Sequence, residues 1–310
     1  MKLLRLPLAL LLSLLATGPL LSAQGTSATQ EPLRVVTLHP ILTELAAAVG
    51  GETARVEGLV PGGVDPHTYE PAPREAAAAR SADLVVATGL GLETYLERLA
   101  DPDGRADRIL RVGERLPLRL TQDTDHPGCS VACGAGEADP HWWHGLGNAL
   151  FVADLLRAEF ARLRPADAAG FAARAQVLQQ RLFALQAWAG REIATLPPAR
   201  RHLVTTHDAF GHLARDFDFQ VHPVGGLSTE NEADARRLSA LVATVRRLGV
   251  KAVFADAEGS ARLVRALSGE TGANIPPALY ADGPGAPGSG VETYEAMYRH
   301  NLSTIVSALR

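Results

Sequence analysis

Ten histidines are spread along this 310-residue chain, and position is what separates them. His39 follows the run VVTL, His67 lies in GGVDPHTYEP, His141 in ADPHWWH and His207 after RHLVTT. Each stands where a short apolar run should end, and an open α/β sheet binds its ligands beyond the carboxyl ends of its strands. Asp282 closes PALYAD in the same manner. Three imidazoles and a carboxylate drawn together from such positions would make a four-coordinate N/O site, the chemistry Zn²⁺ favours. Within GEADPHWWHGLGN, His141 and His144 are one helical turn apart and could instead hold an ion as a pair.

Other residues have plainer readings. His39 at a strand end suits a role behind the ion, donating a hydrogen bond that orients a ligand; His144 could face the cleft, tune the site or cap the next helix. His212 is expected to be a packed or surface side chain, and His126, His202, His222 and His300, which have no motif around them, are expected in solvent. Trp142 and Trp143 read as packing aromatics. Cys129 and Cys133, the only two cysteines, lie four residues apart in DHPGCSVACGAGE and read as a local disulfide, with a thiolate pair joining His126 on a soft metal as the alternative. Three metal ligands and an open position also describe a zinc hydrolase, for which Glu70 or Asp208 would be the general base. No His-Glu-x-x-His helix occurs, and no catalytic residue is assigned.

Alternating elements must position these groups. LRVVTL (33–38) reads as a strand and ILTELAAAVGG (41–51) as a helix, followed by helix 74–82, strand 83–89 and helix 92–100. A helix over 148–163 and a longer one over 166–196, closed by Pro197-Pro198, come next. Strand 201–207, helices 208–217 and 232–249, strand 250–256, helix 259–272, strand 277–282 and helix 291–309 then restart the alternation. Strands alternating with helices predict parallel sheets covered on both faces, an α/β class of two Rossmann-like lobes. The Gly/Pro run GPGAPGSG (283–290) reads as linker.

The formal charge of −4 gives no case for a nucleic-acid partner. Lys2 and Arg5, the apolar stretch Leu6 to Leu21 and the small residues before Gln24 predict an export signal cleaved after Ala23, and so a periplasmic protein; an uncleaved anchor is the alternative. The residue after that point is Gln24, where a lipid anchor would need cysteine.

Taken in order, DPH-x-YEP around His67, DPH-x-W around His141, HDAF from His207 and LSTENEADARRL resemble the metal-binding subunits of bacterial zinc and manganese ABC importers, the ZnuA/TroA-like solute-binding proteins. The resemblance spans nearly the whole chain from Leu33. It implies two α/β lobes joined by one long rigid helix, with a metal in the cleft between them: an N-terminal lobe over 33–164, a linking helix over 165–196 and a C-terminal lobe over 197–310, preceded by the signal (1–23) and a spacer (24–32). His67, His141 and His207 match the family's metal histidines and Asp282 its late carboxylate; histidine rather than glutamate at 207 resembles the zinc type. The implied cargo is Zn²⁺, with Mn²⁺ as the alternative, and the implied partners are an ABC permease and its ATPase, served by a monomer; a periplasmic metal chaperone would share the same site. The chain departs from the family at Trp143-His144-Gly145-Leu146, where W-L-D-P is usual, and in the short loop before ADPH. Because imidazoles bind a metal only when neutral, affinity is expected to fall as pH drops toward about 6.5.

Overall fold

A computed structural model describes residues 31–99, 106–117, 119–121, 138–229, 235–257 and 261–310. The expected export signal, His126 and the expected Cys129–Cys133 disulfide lie outside the described residues. Among those described, no helix is long and apolar enough to cross a membrane.

The first half opens with β1 (Leu33–Thr37), α1 (Pro40–Gly50) and β2 (Ala54–Gly58), then α2 (Pro73–Ser81), β3 (Leu84–Ala87), a short α3 (Leu96–Leu99) and β4 (Ile109–Arg111). The strands pair in parallel in the order β2-β1-β3-β4. Successive residues of a strand point to opposite faces, and here each face has its own core. Leu33, Val35, Leu84 and Val86 join the large central cluster, whereas Val36, Val85 and Ala87 pack with Leu59, Ala79 and Tyr95 on the far side. Burial on both faces explains why these strands read as continuous apolar runs rather than alternating ones.

α4 (Leu146–Leu163) and α5 (Ala168–Ala194) follow. At about 1.5 Å per residue α5 runs about 40 Å, and it buries Phe171, Ala175, Leu178, Leu182, Leu185, Ala189 and Ile193 along one stripe. β5 (His202–Thr205), α6 (Gly211–Phe217), β6 (Gln220–Pro223), α7 (Ala235–Leu248), α8 (Ala261–Thr271) and α9 (Tyr294–Leu309) complete the chain. The second sheet is reduced: β5 and β6 pair in parallel, and single parallel bridges Thr205 to Phe254, Ala252 to Asn274 and Asp256 to Leu279 carry it onward. Its order therefore repeats that of the first sheet, with the second segment outermost, then the first, third and fourth. Leu203, Val221, Ala252 and Phe254 face the same central cluster as the first sheet, while Val204, Val253, Leu241, Val245 and Leu267 form the outer core.

Several expectations are revised. The expected strands 250–256 and 277–282 are held by bridges only; Pro276 and Pro277 have no N–H to offer a ladder. The expected helix 92–100 shrinks to α3. Gly89, Leu90 and Gly91 all take positive φ, and the Glu93 carboxylate folds back to accept from the backbone N–H groups of Thr88 (2.6 Å) and Gly89 (2.9 Å). The run 283–290 is no loose linker: residues 283–285 are buried, and Gly63 N–H donates to the Pro284 carbonyl at 2.8 Å.

Candidate metal centre

Parallel strands aim their carboxyl ends at one region, and four side chains converge there. His67 lies in the turns between β2 and α2, the connection that crosses from one edge of the first sheet to the far side of β1. Its backbone N–H donates to Asp65 Oδ1 (2.8 Å), and Asp65 Oδ2 accepts from the Thr229 hydroxyl (2.6 Å). His141 precedes the single 3₁₀ turn Trp142–His144. Asp139 Oδ1 accepts from both its backbone N–H (2.9 Å) and its Nδ1 (2.7 Å). His207 stands two residues beyond β5, as His39 does beyond β1. Its Nδ1 meets Asp256 Oδ2 at 2.6 Å, and the Thr206 hydroxyl donates to the same oxygen. Asp282 follows the bridge at Leu279.

All four residues are buried, and one ligand atom from each lies within 4.8 Å of the others. Asp282 Oδ1 is 3.3 Å from His67 Nε2, 3.3 Å from His141 Nε2 and 3.4 Å from His207 Nε2, and the first two imidazole nitrogens are 3.2 Å apart. Both Asp282 oxygens and His207 Nε2 lack a hydrogen-bond partner, which is costly for buried polar atoms. A regular tetrahedron around an ion with bonds of about 2.0–2.1 Å has edges of about 3.3–3.4 Å. The donor set and its spacing fit such an ion. Because carboxylates hold Nδ1–H of His141 and of His207, Nε2 is the nitrogen that each ring turns inward and can offer to an ion once it is deprotonated.

Charge favours a cation in this pocket. Burial pushes His141 toward its neutral form, but Asp139 and Asp282 outweigh burial and raise its pKa to about 9. His207 is raised well above the ordinary histidine value by Asp282 and Asp256, again against the pull of burial. Asp282, which burial alone would make harder to ionise, is drawn well below the usual carboxylate range by the three histidines.

His39 and His144 stand behind Asp282. His39 Nδ1 accepts from Ile41 N–H (3.3 Å), so its Nε2 carries the proton and donates to the Asp282 carbonyl at 2.9 Å. His144 Nε2 donates to the Ala281 carbonyl (2.8 Å), which also accepts from Trp143 Nε1–H (2.9 Å). Burial depresses both imidazoles to about 3, so both are neutral. His141 and His144 thus point to different tasks, and the pairing suggested by their spacing does not form.

Among the remaining histidines, His222 is buried rather than exposed, with its Nε2 3.2 Å from His202 Nδ1. His300 is half-buried and donates to the Ala278 carbonyl, and His212 is packed against Asn148 (3.0 Å). Glu70, one candidate base, is tied at the surface to Arg98. Sequence reasoning missed Asp139, Asp65 and Asp256 as partners of the histidines. Asp256 ends the run VKAVFAD, the same strand-end signal that singled out Asp282.

The family described as "Zinc-uptake complex component A periplasmic" matches residues 35–308. The manganese-binding lipoprotein MntA of Bacillus subtilis (strain 168) is 31% identical over 301 residues, covering 95% of this chain and 95% of its own. The zinc-binding protein TroA of Treponema pallidum (strain Nichols) is 30% identical over 292 residues, 93% of this chain and 92% of its own. The solved structure of the periplasmic zinc binding protein TroA from T. pallidum superimposes with a TM-score of 0.80 at 30% identity, over 90% of this chain and 99% of that one. Two α/β lobes with parallel sheets are common to both.

Proposed function

The chain belongs to the zinc-uptake complex component A family, and on that premise we propose that it is the extracytoplasmic component of a metal ABC importer that captures Zn²⁺ between His67, His141, His207 and Asp282 and delivers it to a membrane permease driven by an ATPase. The observation that carries this reading is the position of Asp282 Oδ1, at 3.3, 3.3 and 3.4 Å from three imidazole nitrogens with no hydrogen-bond partner of its own. Three imidazoles suit zinc better than manganese, which prefers oxygen. The ion replaces protons held on His141 and His207, and capture weakens as pH falls. A permease that prefers the loaded form must find contacts there that the ion-free form lacks.

Manganese is the second reading. The relative from B. subtilis is named for manganese, and Asp282 Oδ2, also without a hydrogen-bond partner, offers a second oxygen to a larger ion. Dialysis of ion-free protein against equal Zn²⁺ and Mn²⁺, followed by metal analysis, separates the two. One zinc per chain, abolished in His67→Ala, His141→Ala, His207→Ala and Asp282→Ala, is the expected result. Retention of manganese in preference would overturn the zinc assignment, and stoichiometric zinc in the histidine variants would overturn the site.

A further inference from the structure

The segment that bears Asp282 has little regular structure of its own. Its last ladder bonds are at Leu279, which donates to the Ala255 carbonyl and accepts from Ala257 N–H, both at 2.8 Å. Asn301 holds Tyr280 from both sides, accepting from its N–H (2.8 Å) and donating to its carbonyl (2.7 Å). Beyond that point the chain enters a Gly/Pro run at Gly283, whose φ of +155° is one that side-chain-bearing residues rarely adopt. What fixes the next two carbonyls comes from the opposite half of the molecule: Trp143 and His144 on Ala281, and His39 on Asp282.

These donors are themselves rigid. The His39 ring stacks on Trp143 with centroids 4.3 Å apart and caps α1 through Ile41 N–H. The His144 ring packs against Phe210 at 4.5 Å, and its carbonyl accepts from the Tyr298 hydroxyl at 3.2 Å. All of these rings are buried.

We propose that His39 and His144 are positioning residues for Asp282: by donating to two successive carbonyls across the cleft, they set where its carboxylate stands against the three imidazoles, and with it the preference for zinc over manganese. The inference rests on the metal-capture reading. A small tetrahedral ion needs the carboxylate oxygen at one short distance from all three nitrogens, whereas a larger, oxygen-seeking ion accepts a displaced or two-oxygen carboxylate. Releasing the clamp therefore costs zinc more than manganese. Leucine cannot donate; glutamine places an amide N–H near where His144 Nε2–H stands.

The test compares wild type with His144→Leu, His144→Gln, His39→Leu and His39→Gln. Zinc and manganese dissociation constants are measured by chelator competition, and the visible spectrum of the Co²⁺-loaded proteins is recorded. In the leucine variants zinc weakens about 10-fold or more, manganese weakens less, and the intense bands of tetrahedral cobalt decline; the glutamine variants recover both. A zinc-to-manganese ratio and cobalt spectrum unchanged in both leucine variants would overturn the proposal, as would glutamine variants no better than leucine. A purely structural defect would weaken both metals alike and leave their ratio unmoved, which also counts against it. Wild-type protein that bound neither zinc nor manganese would instead refute metal capture itself, before any variant is compared.

Discussion

Replacing Asp139 by Asn tests how the site holds its ion, because the change keeps shape and removes charge. In the native protein Asp139 Oδ1 accepts from His141 Nδ1 at 2.7 Å and from its backbone N–H at 2.9 Å. Asparagine can accept both bonds through its carbonyl oxygen, so ring and backbone stay in place. What is lost is a negative charge about 6 Å from the ion, the span of an imidazole and one coordinate bond. That charge attracts the proton His141 carries without metal as well as the dication that displaces it, so only the difference of one unit charge counts. At an effective dielectric of about 20 the difference is about 2.8 kcal/mol, or about 100-fold in affinity. Measured losses for groups that buttress metal ligands run about 10–100-fold, which brackets the expectation. Isothermal titration with zinc under chelator competition, at fixed pH and ionic strength, provides the measurement. An Asp139→Asn affinity within twofold of wild type would refute the claim that this carboxylate tunes His141, whereas Asp139→Ala, which also orphans two buried donors, should lose more.

A Cβ on Gly62 would lie 2.7 Å from the Gly285 carbonyl oxygen and 3.0 Å from that of Pro284, both main-chain atoms with little room to yield. Gly62→Ala should push this contact apart and speed zinc loss to an excess of chelator, followed by stopped flow; an unchanged rate would show that the contact does not restrain release. Burial raises the Glu93 carboxyl to about 7 despite its two backbone N–H donors. A folded pKa above the unfolded one adds stability that is full below about 4.5 and lost as pH rises through about 7. Urea denaturation should therefore show wild type losing stability relative to Glu93→Gln between pH 5 and 8, and parallel pH profiles would contradict the reasoning.

The legible parts of this fold were those with long periods or abrupt ends. α4, α5 and α9 announced themselves by apolar spacing, and β1 and β3 by runs buried on both faces. β2, β4 and β6 were not legible because ARVEG, ILR and QVHP are short runs that mix polar with apolar residues. Strand-end positions singled out His39, His67, His141, His207 and Asp282, and the family resemblance chose the last four, which the structure gathers within 4.8 Å. His39, expected to donate a hydrogen bond behind the ion, meets the Asp282 carbonyl. His144 was open to the same role, but its partner could not be read, since the Ala281 carbonyl lies 137 positions away on an irregular segment. Asp65 was equally hidden, its link to Thr229 spanning 164 positions.

The clustered side chains are far apart in sequence. His67 and His141 are separated by 74 positions, and the intervals to His207 and then Asp282 are of similar length. An unfolded chain thus presents no ready-made site; the first half alone supplies two imidazoles, and the second an imidazole and a carboxylate. Closing such intervals costs entropy that grows only slowly with length, but it must be met in full before the fourth ligand arrives. If these residues hold the ion as proposed, its binding is therefore linked to folding. On the proposed site the ion would act as an inspector of the finished molecule, held firmly only by chains in which both sheets, the crossing connection that bears His67 and the clamped segment at 281–282 are all in place.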